Sequence, residues 1–146
     1  MRKMIVTCWM CCICVGLQAQ SSPRNIVKLF FHNYEKDPEV AVDFLYSTNK
    51  WIDLESNVVK EIKSNLKANL PRMGAYLDRR LLGQSSLGRD LQVRIYLVRY
   101  ERKPLRFTFH FYKSKDKWII YRFNFDDFLF EDMEENMKFN YLNSLN

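Results

Sequence analysis

Cysteine is nearly missing from this chain: its four copies, Cys8, Cys11, Cys12 and Cys14, all fall within the first fourteen residues. Beyond them no disulfide framework, zinc-thiolate site or thiolate nucleophile can be built. Histidine is equally scarce. His32 and His110 are the only two and read as lying on different elements, which is too thin a supply for a metal centre. Glycine is sparse too, and Gly83 and Gly88 fall in a hairpin connection instead of the strand-to-helix turn that cradles a phosphate. Ser85 and Ser86 have no histidine at a spacing that suggests a triad. Neither a metal nor a cofactor is expected.

Long apolar runs are confined to the first twenty residues, "MRKMIVTCWMCCICVGLQAQ". Arg2 and Lys3, the run Met4 to Leu17, and then Gln-Ala-Gln are the three parts of a secretory signal peptide, and the run is short for a membrane span of about 20 residues. Cleavage is expected near Gln20 or Ser21, although Leu17 stands where a small residue is usual. The reading is therefore a signal peptide at 1–20 and one domain at 21–146, periplasmic or secreted, with no stable membrane span once the signal is removed. Loss of Arg2 and Lys3 lowers the formal charge from +6 to +4. So mild a charge suits solubility or an anionic partner, and no nucleic-acid partner is expected.

What the rest of the chain has is helical periodicity first and strand periodicity after. Ile26, Val27, Phe30, Phe31 and Tyr34 recur at helical spacing, and Asp37-Pro38 offers an N-cap and first-turn proline for a second helix with Val40, Ala41, Phe44 and Leu45 inward. From Leu54, the set Val58, Val59, Ile62, Leu66 and Leu70 predicts a third helix ended by Pro71 and Gly74. Lys60, Lys63 and Lys67 share another face, read as solvated. Turn clusters at "GQSSLGRD", "ERKP" and "SKDK" then divide strands near 75–82, 90–100, 105–113 and 117–126. Asp127 is placed to cap a C-terminal helix whose first turns are acidic.

In the third strand Phe107, Phe109 and Phe111 face one way. Two registers for the second strand compete. A four-residue loop at "ERKP" puts Tyr96 on the phenylalanine side, whereas an odd loop or a bulge puts Leu97 there. Burial favours the second, because Leu91, Val93, Ile95 and Leu97 would otherwise face water at about 25 cal/mol per Å². In the fourth strand Ile119, Tyr121, Phe123 and Phe125 are expected inward.

Helices followed by an antiparallel meander predict an α+β fold with a curved sheet wrapped on N-terminal helices. The stretches "DFLYSTNKWI" and "LGRDLQVRIYLVRYERKPLRFTFHFYKSKDKWIIYRFNFDD", with aromatics such as Tyr112 and Trp118, resemble the nuclear transport factor 2-like superfamily, the cystatin-like α+β cones, and specifically its small exported bacterial members. The likeness runs over residues 25–130. It implies a cone with a pocket between sheet and helices, and dimerisation through the outer sheet surface; fold alone transfers no activity.

Some members of that superfamily are ketosteroid isomerase-like enzymes, which need a carboxylate in the pocket. The favoured register leaves Tyr121 as the one polar inward group, which cannot shuttle protons alone. Asp43, Asp53 or Asp78 would have to reach the mouth of the cone for such an enzyme or a hydrolase. Binding is the better class. The expected pocket walls are Trp51, Tyr76, Phe109 and Tyr121. An outer face of Arg94, Tyr96, Tyr100, Arg106, His110, Tyr112, Trp118 and Arg122 is rich in the residue types that carry interface energy. A homodimer through that face is expected, with a small molecule or another protein as the other possible partner.

Overall fold

The computed structural model describes residues 22–144, so the segment read as a signal peptide lies outside the described residues. The fold is α+β. Three helices, α1 (Pro23–Tyr34), α2 (Pro38–Ser47) and α3 (Asn57–Met73), precede β1 (Tyr76–Leu87), β2 (Leu91–Tyr100), β3 (Leu105–Ser114) and β4 (Lys117–Asp126), and α4 (Leu129–Asn143) follows. The strands form one antiparallel meander in the order β1-β2-β3-β4.

Each helix start has a local cause. Ser22 Oγ accepts from the Asn25 N–H at 3.3 Å ahead of Pro23 in the first turn. Asp37 Oδ1 accepts from Glu39 and Val40 N–H at 2.8 and 3.4 Å. On α2 it is Ala41, Val42, Leu45 and Tyr46 that turn inward, and Val40 is exposed. α3 runs through Pro71 to the buried Met73 and stops at Gly74, whose φ of 82° suits a residue without a Cβ. The three lysines of α3 are not a free basic strip. Lys63 and Lys67 reach Asp43 and Glu39 on α2 at 2.6 and 2.8 Å, and Lys60 reaches Glu55 at 3.0 Å.

The core lies between α1 and the inner sheet face. Ile26, Val27, Phe30 and Phe31 are buried against Phe107, Phe109, Phe111 and Phe123. Phe30 meets Phe109 edge-on at 5.1 Å and Phe123 at 5.3 Å, and Phe31 stacks on Phe107 at 6.0 Å.

Two strand expectations are corrected. The register pairs Val98 with Leu105, Tyr96 with Phe107 and Arg94 with Phe109. Tyr96, Val98 and Tyr100 therefore face the core, and Leu91, Val93, Ile95 and Leu97 face outward. The hydroxyls make this burial tolerable: Tyr100 and Tyr34 hydrogen-bond to each other at 2.5 Å, and the Tyr96 ring packs on Phe31 at 5.4 Å. In β4 the pairing slips between His110–Arg122 and Phe111–Ile120, leaving Tyr121 as a bulge residue. Ile120 is consequently buried in place of Tyr121, which is 65% exposed. β1 also runs past the expected end at 82 to Leu87, with a register shift between Leu81 and Gly83, so the turn is confined to Gly88–Asp90.

Both outer strands have a free edge, and the two are treated differently. At β4 the Ile120 N–H donates to Thr48 Oγ1 at 3.1 Å, and its carbonyl accepts from Asn49 Nδ2 at 2.8 Å. The end of α2 thus seals that edge. On β1 two register shifts and the charged Arg79 and Arg80 interrupt the edge.

Candidate binding surface

The register separates the eight residues expected on one face. Arg106, His110, Tyr112 and Arg122 do lie outward, as partners or neighbours of Leu97, Val93 and Leu91. Arg94, Tyr96 and Tyr100 lie inward, and Trp118 shares the side of Ile120 and packs against the core. Arg94 is only 7% exposed and donates to Tyr96 Oη at 3.3 Å and Gln92 Oε1 at 3.4 Å. Arg106 is held by Asp126 at 2.9 Å and by Asp132 of α4. The outer face is therefore mixed: the aliphatic column of β2 runs beside Arg106, His110, Tyr112 and Arg122 of β3 and β4.

α4 is the element that changes the meaning of that column. Asp126 Oδ1 accepts from the Phe128 N–H at 3.2 Å in a turn ahead of α4, while Asp127, expected to cap that helix, pairs its carboxylate with Lys103. Leu129, Phe130 and Met133 then line a cavity of about 360 Å³ together with Leu77, Leu82, Leu97 and Pro104 on the outer side of the sheet. From Glu134 to Tyr141 every side chain is exposed. At about 100° per residue, Leu129, Phe130, Met133, Met137 and Tyr141 fall within roughly a third of the helix circumference. Met137 and Tyr141 are 69% and 65% exposed, and at the far end of the sheet Leu87 and Leu91 are 75% and 44% exposed. That stripe escaped the sequence reading, which weighed only the acidic residues of 126–135; the spacing Phe130, Met133, Met137, Tyr141 was its visible signal.

The four expected pocket walls also divide. Trp51 and Tyr121 line one open groove of about 650 Å³ with Tyr46, Ile52, Val58 and Ile62. Phe109 is fully buried core, and Tyr76 sits at the other end of the sheet, 6.0 Å from Tyr100 and 3.3 Å from Arg79 Nη1. The bulge at Tyr121 is what turns that ring out to line the same groove as Trp51, which is 76% exposed beneath the Lys50 ammonium at 4.6 Å.

The carboxylates weighed as catalytic bases have structural partners. Asp78 is gripped by Arg99 through two hydrogen bonds of 2.6 and 2.5 Å, which hold its carboxyl below the usual range. Asp43 pairs with Lys63. Asp53 lines the Trp51 groove and accepts from the Glu55 N–H at 2.9 Å. Burial pushes the Tyr34 phenol far up and that of Tyr100 up to about 12. Desolvation, and then the Arg122 charge, lower His110. Among the described residues no group of three His, Cys, Asp or Glu side chains could hold a metal, and no helix is long and apolar enough to cross a membrane.

No protein-family model matches this sequence, and no characterised protein or solved structure is significantly similar to it.

Proposed function

We propose that this chain is an exported, non-catalytic binding module of the nuclear transport factor 2-like kind, which binds protein through the outer face of its sheet and first of all binds itself. The observation that carries the reading is the uncovered apolar surface of Leu87 on β1, Leu91 on β2, and Met137 and Tyr141 on α4, the helix whose first turns lie on the outer side of the sheet. Exposed apolar area of this kind stabilises an interface once covered, at about 25 cal/mol per Å². The arginines around it supply orientation. Export rests on the three-part segment at 1–20.

Native mass by light scattering over a concentration series tests the reading. The mass should rise from one chain towards two, and Leu91→Asp should hold it at one chain with an unchanged circular dichroism spectrum. A wild-type mass that stays at one chain at every concentration sinks self-association. Intact mass of the protein recovered from its host tests export: a chain beginning near Gln20 or Ser21 is expected, and a retained N-terminus contradicts it.

A second reading has its own observation, an open groove lined by both Trp51 and Tyr121. Those rings and Arg122 suit a small anionic or sugar-like ligand. Titration with such ligands should quench Trp51 fluorescence in the wild type and not in Tyr121→Ala.

A further inference from the structure

Trp51 lines two open grooves, which adjoin at this residue. The first, of about 650 Å³, also carries Tyr121, Arg122 and Asn124 of β4. The second, of about 500 Å³, lies between the end of α2 and the β3–β4 turn, with Thr48, Lys50, Ser114, Lys115 and Lys117 in its lining. Together they follow β4 from Lys117 to Asn124, about 20 Å at the rise of a strand. That is several times the length of one sugar ring.

The basic residues of these grooves differ from those elsewhere. Arg99, Lys103 and Arg106 hold Asp78, Asp127 and Asp126. Lys50, Lys115, Lys117 and Arg122 are exposed, and among the described residues none of them makes an ion pair. Two acids share the walls, Asp53 and Asp116, and Asp53 already accepts from the Glu55 N–H at 2.9 Å. Lys115 is also, among the described residues, the one non-glycine residue in the left-handed region, with φ 54°, in the two-residue turn between the paired Ser114 and Lys117. Glycine or asparagine fits that conformation more readily, so the lysine strains the turn and sets a cation on the wall of the groove.

Resting on the second reading above, we infer that the adjoining grooves bind a chain of acidic sugars, a glycan that carries carboxylates on its rings. The apolar faces of successive rings stack on Trp51 and Tyr121, which are 76% and 65% exposed, and the carboxylates are taken by Lys50, Lys115 and Lys117 in one groove and Arg122 in the other. The open rings select a ligand with flat apolar faces, the unpaired cations select acid, and the length of the groove selects a chain. A single-stranded nucleic acid also offers stacking faces and negative charge, and the segment read as an export signal favours the sugar. A bilayer surface is broad and flat and would leave both grooves empty.

Titration calorimetry on the purified protein tests it, with four-ring oligomers of galacturonate, mannuronate and glucuronate, a neutral four-ring glucan, and the matching monosaccharides. At low salt at least one acidic oligomer should bind about tenfold more tightly than the neutral glucan, since three or four exposed ion pairs contribute, and that advantage should fade as salt is raised. Lys115→Asn with Lys117→Gln keeps a residue suited to the turn and should remove most of the advantage. Trp51→Ala should abolish binding of acidic and neutral chains alike, with an unchanged circular dichroism spectrum. A neutral glucan bound as tightly as every acidic oligomer, or a monosaccharide bound as tightly as its four-ring chain, would overturn the acidic chain and leave the groove reading standing. Binding of oligothymidylate or of anionic phospholipid vesicles without binding of any acidic oligomer would also overturn it. No heat with any sugar, acidic or neutral, removes the inference and the second reading together.

Discussion

The two sides of β2 are both rich in apolar side chain, yet the two faces of the sheet reach opposite ends. On the inner face Phe107, Phe109, Phe111 and Phe123 are no more than 2% exposed, closed over by Phe30 and Phe31 of α1. On the outer face Leu87 and Leu91 remain open, and α4 only lines a cavity with Leu77, Leu82 and Leu97, leaving Leu77 and Leu82 about half exposed. The comparison teaches that apolar content does not decide which face of a strand is core. What decides it is which face a helix can cover completely, and whether the polar tips that come along find partners. Tyr100 finds Tyr34, whereas Leu97 finds the start of α4.

The contrast can be broken most severely from the inside. Phe109→Ala should cost about 3–5 kcal/mol in urea unfolding, because its neighbours are held by four strands and α1 and cannot collapse into the space. Asn49→Ala should cost about 1–3 kcal/mol by the same measurement, since the Ile120 carbonyl loses its donor in a buried setting. Tyr100→Phe should cost about 1 kcal/mol at neutral pH by removing its hydrogen bond to Tyr34.

That same tyrosine pair gives the inner face a pH signature. Burial raises both phenols above their ordinary value of 10.0, so the fold prefers the neutral form. Its stabilisation is complete below about pH 10 and is lost as pH rises through the folded value of about 12 for Tyr100. Urea midpoints measured from pH 8 to 12 should be flat at first and then fall. A flat profile to pH 12 would mean the pair is not buried.

The smallest effect on stability belongs outside. Leu91→Ala should change the unfolding free energy measured in urea by less than about 0.5 kcal/mol, being a surface change with no buried partner, yet it should weaken self-association measurably. A large loss of stability there would mean the outer face is core after all.

Much of this fold was legible in the sequence. The first three helices follow from the Ile26–Tyr34 spacing, Asp37-Pro38 and the run ending at Gly74, where local signals and periodicity agree. The α+β order and the phenylalanine face of β3 were legible for the same reason. The face of β2 was not, because both of its sides are half apolar and the inward side is settled by partners distant in sequence, Tyr34 for Tyr100 and Phe31 for Tyr96. The bulge at Tyr121 was hidden as well, since a single extra residue reverses the alternation without any glycine or proline to announce it. That one slip separated Trp118 from Arg122 and brought Tyr121 to the groove lined by Trp51.

The claim at the centre of the account is that the outer face and α4 are finished only by another protein surface. Amide hydrogen exchange at low and high protein concentration tests it directly. Exchange in residues 134–143 and in 91–95 should slow together as concentration rises, while 107–111 stays equally protected throughout. Rates in those segments that are the same at both concentrations would contradict the claim.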